Sequence, residues 1–193
     1  MNNKSLAIGG VIGLIGGLIL SPVLFAGKAI DTTQQTATAF DQHFIEEMIP
    51  HRQGAMAMAE LALERSKRPE IQTLAKAILE AQKKEIDQMT AWHTAWFENP
   101  AGQSKTGHVQ DEHLHDDHMD TMAGDMELLM TAKDFDLEFI RQMIPHHEMA
   151  VMMAQMLKVG TTRPPMKTLA DQIITSQSGE IYSMRTWQKA WTK

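Results

Sequence analysis

The sequence predicts an all-α protein: a four-helix bundle made of two duplicated helical hairpins, joined by a long connection rich in His and Met. Residues 40–59, FDQHFIEEMIPHRQGAMAMA, return as residues 135–154, FDLEFIRQMIPHHEMAVMMA, with eleven of twenty positions identical and no gap. The same offset of 95 residues carries Leu74, Ile78, Gln82, Glu85, Ile86, Met89, Trp92 and Trp96 onto Leu169, Ile173, Gln177, Glu180, Ile181, Met184, Trp187 and Trp191. A unit of about sixty residues is therefore written twice, which marks a repeated supersecondary element. Within the unit, apolar residues recur at three- and four-residue spacings (Phe40, Phe44, Met48; Leu74, Ile78, Ile86, Met89), with few β-branched runs. That period belongs to amphipathic helices. Each hairpin has an apolar side it cannot bury alone, and two copies packed together close a bundle.

At the start of the chain, Lys4 precedes an uncharged run from Ser5 to Gly27 rich in Leu, Ile, Val and Gly. A charged start followed by an apolar run reads as an export signal. The run exceeds a usual signal core of roughly 7–15 residues and approaches the ~20 that span a bilayer. Residues 1–29 are thus expected to be either a signal peptide, cut after Ala26 or Ala29, or a retained membrane anchor. Both place the rest of the chain outside the cytoplasm, in the periplasm, with membrane contact only through this segment.

Residues 30–39 read as a polar tether. The first hairpin, residues 40–97, is expected as helices near 40–66 and 70–97 turned by SKRP. Pro69 stands at the start of its second helix, where a missing N–H costs little. Pro50 and Pro145 fall inside the first helix of each hairpin, and each should kink or restart it by removing an intrahelical bond. Residues 98–133 form the connection, too long to be idle within a compact domain. Its start, ENPAGQSKTG, is turn-forming. A helix over 113–130 would align His115, Met119, Met122, Met126 and Met130 on one stripe. Gly124 weakens that helix by about 1 kcal/mol relative to Ala, so the stretch is expected to be mobile without a ligand. The second hairpin, residues 134–193, is expected as helices near 134–159 and 165–192, with Gly160 ending one and the prolines of GTTRPP opening the next.

Composition narrows the chemistry. There is no cysteine, which removes thiolate catalysis, disulfides and cysteine-ligated zinc or iron–sulfur sites. A net charge of −6 argues against a nucleic-acid partner, which calls for a basic face. Sixteen Met outnumber the six Phe, four Trp and one Tyr, and nine His accompany them. Any single Met reads first as a pliable core filler. The set, repeatedly placed beside His, reads as ligands.

Thioethers are soft, neutral ligands that select Cu(I) over zinc, magnesium or calcium, and imidazole completes such a site. Ag(I) follows from the same softness. In the second repeat, helical geometry puts His146, Met149, Met153 and Met156 on one side, with His147 turned toward Met143. The first repeat keeps Met48, His51 and Met58 but has Gly54 and Arg52 where the second has Met149 and His147, so the second is the richer. For His51 and His146 the structural alternative is a cap at the proline break or a hydrogen-bonded core position. Met152 is expected as a surface ligand, Met89 and His93 as an i, i+4 pair, and His43 as the head of a ladder through Glu47 to His51. In the connection, His108, His113, His115 and His118 stand beside Asp111, Glu112, Asp116 and Asp117. They are expected either as a solvated loop or as ligands for a divalent ion such as Cu(II).

No enzyme is expected. Helical bundles that hold di-iron use Glu and Glu-x-x-His motifs. Here Glu47 precedes His51 by four residues and its repeat partner is Gln142. Glu85 and Glu180 recur, but two carboxylates do not make that site.

The run F-D-x-x-F-I-x-x-M-I-P-H-[HR]-x-x-A-x-x-M-A resembles the ferritin-like family called domain of unknown function 305, over about 40–96 and 135–191. Its M-I-P-H-H element is intact at Met143 to His147 and departs at Arg52 in the first copy. With the leader, the two copies and the His/Met-rich middle, the chain is similar to copper-binding members of that family. The resemblance implies a bundle that binds Cu(I), and Ag(I) likewise, for copper sequestration and tolerance. Delivery to an envelope copper protein or sensor uses the same ligands and stays open. So does a metal-free module that docks a partner on its Met-rich faces.

Overall fold

Helix α1 spans Thr32–Arg65, α2 Pro69–His93, α3 Phe135–Gly160 and α4 Pro164–Trp191 in a computed structural model that describes residues 32–98 and 126–192. These residues all belong to one of the chain's two units, Asp31–Lys193. The expected leader lies outside the described residues, and no described helix is long and apolar enough to cross a membrane. A π-helical turn, Thr94–Glu98, continues α2, and residues 126–131 are helical.

The bundle is the expected one, and its helix ends differ in an instructive way. Asp134 caps α3, its Oδ1 accepting the Leu137 N–H at 3.1 Å, which fixes the helix start. One repeat earlier that position is Ala39, which has no capping oxygen and the highest helix propensity. Helix α1 therefore runs back to Thr32, and most of the expected tether 30–39 is helix instead. Ala37 is buried and Thr38 Oγ1 donates to the Gln34 carbonyl at 2.9 Å. Both α1 and α3 continue through their prolines without restarting. Gly160 is the last residue of α3, and what needs a glycine there is a close approach rather than a left-handed backbone. A Cβ there would sit 2.7 Å from the Phe40 ring. Gly160→Ala should therefore cost about 1–3 kcal/mol, as overpacking does, seen as a lower urea midpoint.

Within each hairpin α1 packs on α2 and α3 on α4, and the hairpins meet along α1 and α3. One apolar cluster combines Ala55–Ala62 and Ile71–Ile78 with Phe139, Ile140 and Ile144. The other combines Phe44 and Ile45 with Ala150, Leu157 and Ile173. The beginning of α1 thus lies beside the end of α3 and the reverse, so the two run antiparallel and cross near their middles.

The repeats also lock each other's ends. Arg68, at the turn of the first hairpin, lies 3.9 Å over the Trp191 ring and 3.2 Å from Asp136 Oδ2, both in the second. Arg163, at the turn of the second, lies 4.4 Å over Trp96 and 3.1 Å from Asp41 Oδ2 in the first. All three positions are related by the 95-residue offset. Each turn is set by the same device, with Ser66 Oγ accepting from the Arg68 N–H at 3.1 Å and Thr161 Oγ1 from the Arg163 N–H at 3.0 Å. The bundle therefore has a pseudo-two-fold axis.

Candidate metal centre

Where α1 crosses α3, the two M-I-P-H elements bring their histidines face to face. The His51 and His146 rings are 3.8 Å apart between centroids and tilted by 37°. Equivalent residues can touch only on the axis that relates them, so the pair marks that axis. Around it lies a polar level between the two apolar clusters. Arg52, only 1% exposed, puts Nη2 3.0 Å from Glu85 Oε2. At the equivalent positions, His147 is fully buried and puts Nε2 2.7 Å from Glu180 Oε2. Each repeat thus supplies one cationic or N–H donor from its first helix and one carboxylate from its second.

Burial governs the charges here. It lowers the Arg52 guanidinium and raises the Glu85 carboxyl from their ordinary values, each against the pull of the other. Burial also holds His146 well below its usual 6.5, with Coulombic contributions from His51, His147 and Arg52 in the same direction and a backbone hydrogen bond at His51 opposing them. His146 is therefore a neutral imidazole with a lone pair to give. Folded, it takes a proton only well below 6.5, whereas unfolded it takes one near that value. The unfolded chain binds more protons in that window, so stability is full above it and falls as the pH drops through it. His146→Gln should flatten that fall, measured as the urea midpoint between about pH 7 and pH 5.

On the outer side of α3 is a thioether face. At 3.6 residues per turn, Met149, Met152, Met153 and Met156 fall within an arc of about 100°. Met149, Met152 and Met156 are 40%, 52% and 51% exposed, while Met153 is half-buried against the second cluster. His146 borders the arc on its inner edge. The first repeat has Gly54, Ala57, Met58 and Leu61 at these places, and its Met58 is buried. The face belongs to the second repeat alone, as the sequence comparison of the copies leads one to expect.

The other expected ligands are dispersed. Met48, Met58, Met89 and Met143 are core residues, as are Met166 and Met184. The expected Met89–His93 pair is not formed. Met89 points into the core, while His93 sits between Glu98 Oε1 at 3.0 Å and Glu46 Oε1 at 3.1 Å. The reason is that residues four apart share a helix face only broadly, so Met89 turns inward while His93 lies at the edge of the packed face, against Glu46 of α1. His43 is exposed on α1 near Glu46. His147 faces Glu180 rather than a thioether. Of the connection, Met126 is half-buried against the first cluster and Met130 is half exposed. His108, His113, His115, His118, Met119 and Met122 lie outside the described residues. Among the described residues no three His, Asp or Glu side chains converge as a ready metal site.

The sequence reading underrated Glu85, Glu180 and Arg52. The signal was present, since a Glu that recurs amid recurring apolar positions marks a shared polar level.

Two pseudo-equivalent hairpins, a polar level on their common axis and a thioether face on one repeat define an all-α bundle suited to holding soft cations. Residues 41–188 match the family described as Domain of unknown function (DUF305), and the chain belongs to it. Among solved structures it is similar to CopM in the Cu(I)-bound form, at 44% identity and a TM-score of 0.65 over 79% of this chain and 98% of that one. CopM structures in Cu(II)-bound and Ag-bound forms match alike, at 44% identity and TM-scores of 0.64 and 0.65. A DUF305 fragment from Deinococcus radiodurans is 28% identical, with a TM-score of 0.64 over 80% of this chain and 98% of that one. Among curated proteins, Uncharacterized protein L153 of Acanthamoeba polyphaga mimivirus is 41% identical over 51 residues, 26% of this chain and 34% of that protein.

Proposed function

We propose that this protein binds Cu(I), and Ag(I) in its place, outside the cytoplasm, and that by holding the ion it lowers free copper and supports copper tolerance. The observation that carries this is the exposed thioether face of Met149, Met152 and Met156 on α3. Burying such side chains would be favourable, and a contiguous exposed set marks a site of interaction. Thioethers suit Cu(I) and not hard divalent ions. The 44% identity to a protein solved with Cu(I) and with Ag supports the same choice. The apolar run from Ser5 to Gly27 after Lys4 supports export.

The test is an anaerobic titration of the chain with Cu(I) against a chromophoric chelator, repeated with Ag(I). Withdrawal of both ions from the chelator supports the reading, with Zn(II) not competing. No withdrawal overturns it, and the methionine face is then a docking surface.

A further inference from the structure

We propose that Met149, Met152 and Met156 are sites of reversible oxidation to the sulfoxide, and that this modification strips the thioether face of its soft-cation binding while the bundle stays folded. The proposal rests on the copper(I) and silver(I) reading of that face and adds a redox control to it.

Exposure separates these methionines from those of the core. Met149, Met152 and Met156 are 40%, 52% and 51% exposed. Met48, Met89, Met143, Met166 and Met184 are wholly buried in the two apolar clusters. An oxidant dissolved in water therefore meets sulfur along one face of α3 while the core sulfurs are shielded. The chain has no cysteine, so no thiol competes for that oxidant.

The step is a two-electron oxygen transfer. A lone pair of the sulfur attacks one oxygen of hydrogen peroxide, and the O–O bond breaks. The attacked oxygen stays on sulfur as the sulfoxide. The other leaves as hydroxide, takes the proton of the transferred oxygen and departs as water. Sulfur loses two electrons and the peroxide gains them. A dithiol reverses the change: it supplies two electrons and two protons, the sulfoxide oxygen leaves as water, and the dithiol closes to a disulfide. Sulfoxide reductases catalyse this return.

The added oxygen has different consequences in the two places. In the core it would be a polar atom taken out of water, which burial penalises. On the exposed face water solvates it and little packing is lost. Its effect on metal binding is direct. One sulfur lone pair is committed to the S–O bond, the other is held more tightly by the electron-poor sulfur, and the new oxygen is a hard donor where Cu(I) and Ag(I) call for a soft one. Conversely, a sulfur bound to Ag(I) has given electron density to the ion and reacts more slowly. Metal and oxidant thus compete for the same electrons. Met153, half-buried against the second cluster, should be the last of the four to oxidise.

The test treats the full chain with hydrogen peroxide, with and without Ag(I), and places each added oxygen by tandem mass spectrometry. Chelator competition then measures Ag(I) binding. Oxygen should appear on Met149, Met152 and Met156 before Met48 or Met143, and Ag(I) should slow it there. Peroxide should lower Ag(I) binding with the helical signal unchanged, and a methionine sulfoxide reductase with dithiothreitol should restore it. The chain with Met149, Met152, Met153 and Met156 replaced by Leu has no sulfur on this face and should lose less binding on the same treatment. Equal losses in the two chains, undiminished binding by the sulfoxide form, a lost helical signal or no recovery with the reductase each overturn the proposal and leave the copper reading intact. No Ag(I) binding by the untreated chain overturns both.

Discussion

Replacing Met149, Met152, Met153 and Met156 together by Leu should weaken Ag(I) and Cu(I) binding at the thioether face by at least about a hundredfold, with the helical signal unchanged. Leu keeps the volume of Met and removes only the sulfur, a swap that usually costs less than about 1.5 kcal/mol per site. Three of the four side chains are exposed, so even that cost should be small here. The same four changes therefore separate metal binding from folding. Chelator competition measures the first and the urea midpoint the second. Unchanged competition with an unchanged midpoint would remove this face from the binding surface. In the first repeat the control is Met48→Leu, a core position that should leave competition at the thioether face as it was.

The second large effect is expected at Arg52. Its guanidinium is 1% exposed and stands 3.0 Å from Glu85. Arg52→Ala leaves that carboxylate, and Glu180 nearby, without the charge that offsets their burial. Breaking a buried pair from one side costs about 3–5 kcal/mol, which for a domain of this size is a fall of roughly 10 °C in Tm. The companion change Glu85→Gln in the Arg52→Met background should restore most of the loss, since a neutral amide at that position no longer needs a guanidinium. Thermal and urea denaturation of the three chains would measure this. A loss below about 1 kcal/mol for Arg52→Ala would place Arg52 and Glu85 in an effectively solvated setting.

Much of the fold was legible because the information it needs is local and periodic. The spacing of Phe44, Met48, Leu74 and Ile78, written a second time at Phe139, Met143, Leu169 and Ile173, requires helices with one apolar side. The start of α1 was less legible, since it turns on Ala39 standing where Asp134 caps α3, and the polar composition of residues 31–36 masks that difference. The site was legible only in part. A helical period tells which methionines share a face, but not which face is inside, because Met serves equally as core filler and as ligand. Met48 and Met143 went inward, and Met149, Met152 and Met156 outward. The meeting of His51 with His146 was not legible at all, because it depends on where two helices far apart in sequence cross.

That crossing has a consequence for how such a protein can evolve. In a dimer of identical chains, whatever stands at the level of Arg52 on one side must stand there on the other, and two guanidiniums or two imidazoles would face the same pair of carboxylates. Joining the copies in one polypeptide lifts the rule. One side holds Arg52 and the other His147, while the interlocked turns at Arg68 and Arg163 keep the halves in register. Fusion thus gives the interior something no symmetric assembly of one chain can have, a guanidinium on one side of the axis and an imidazole on the other.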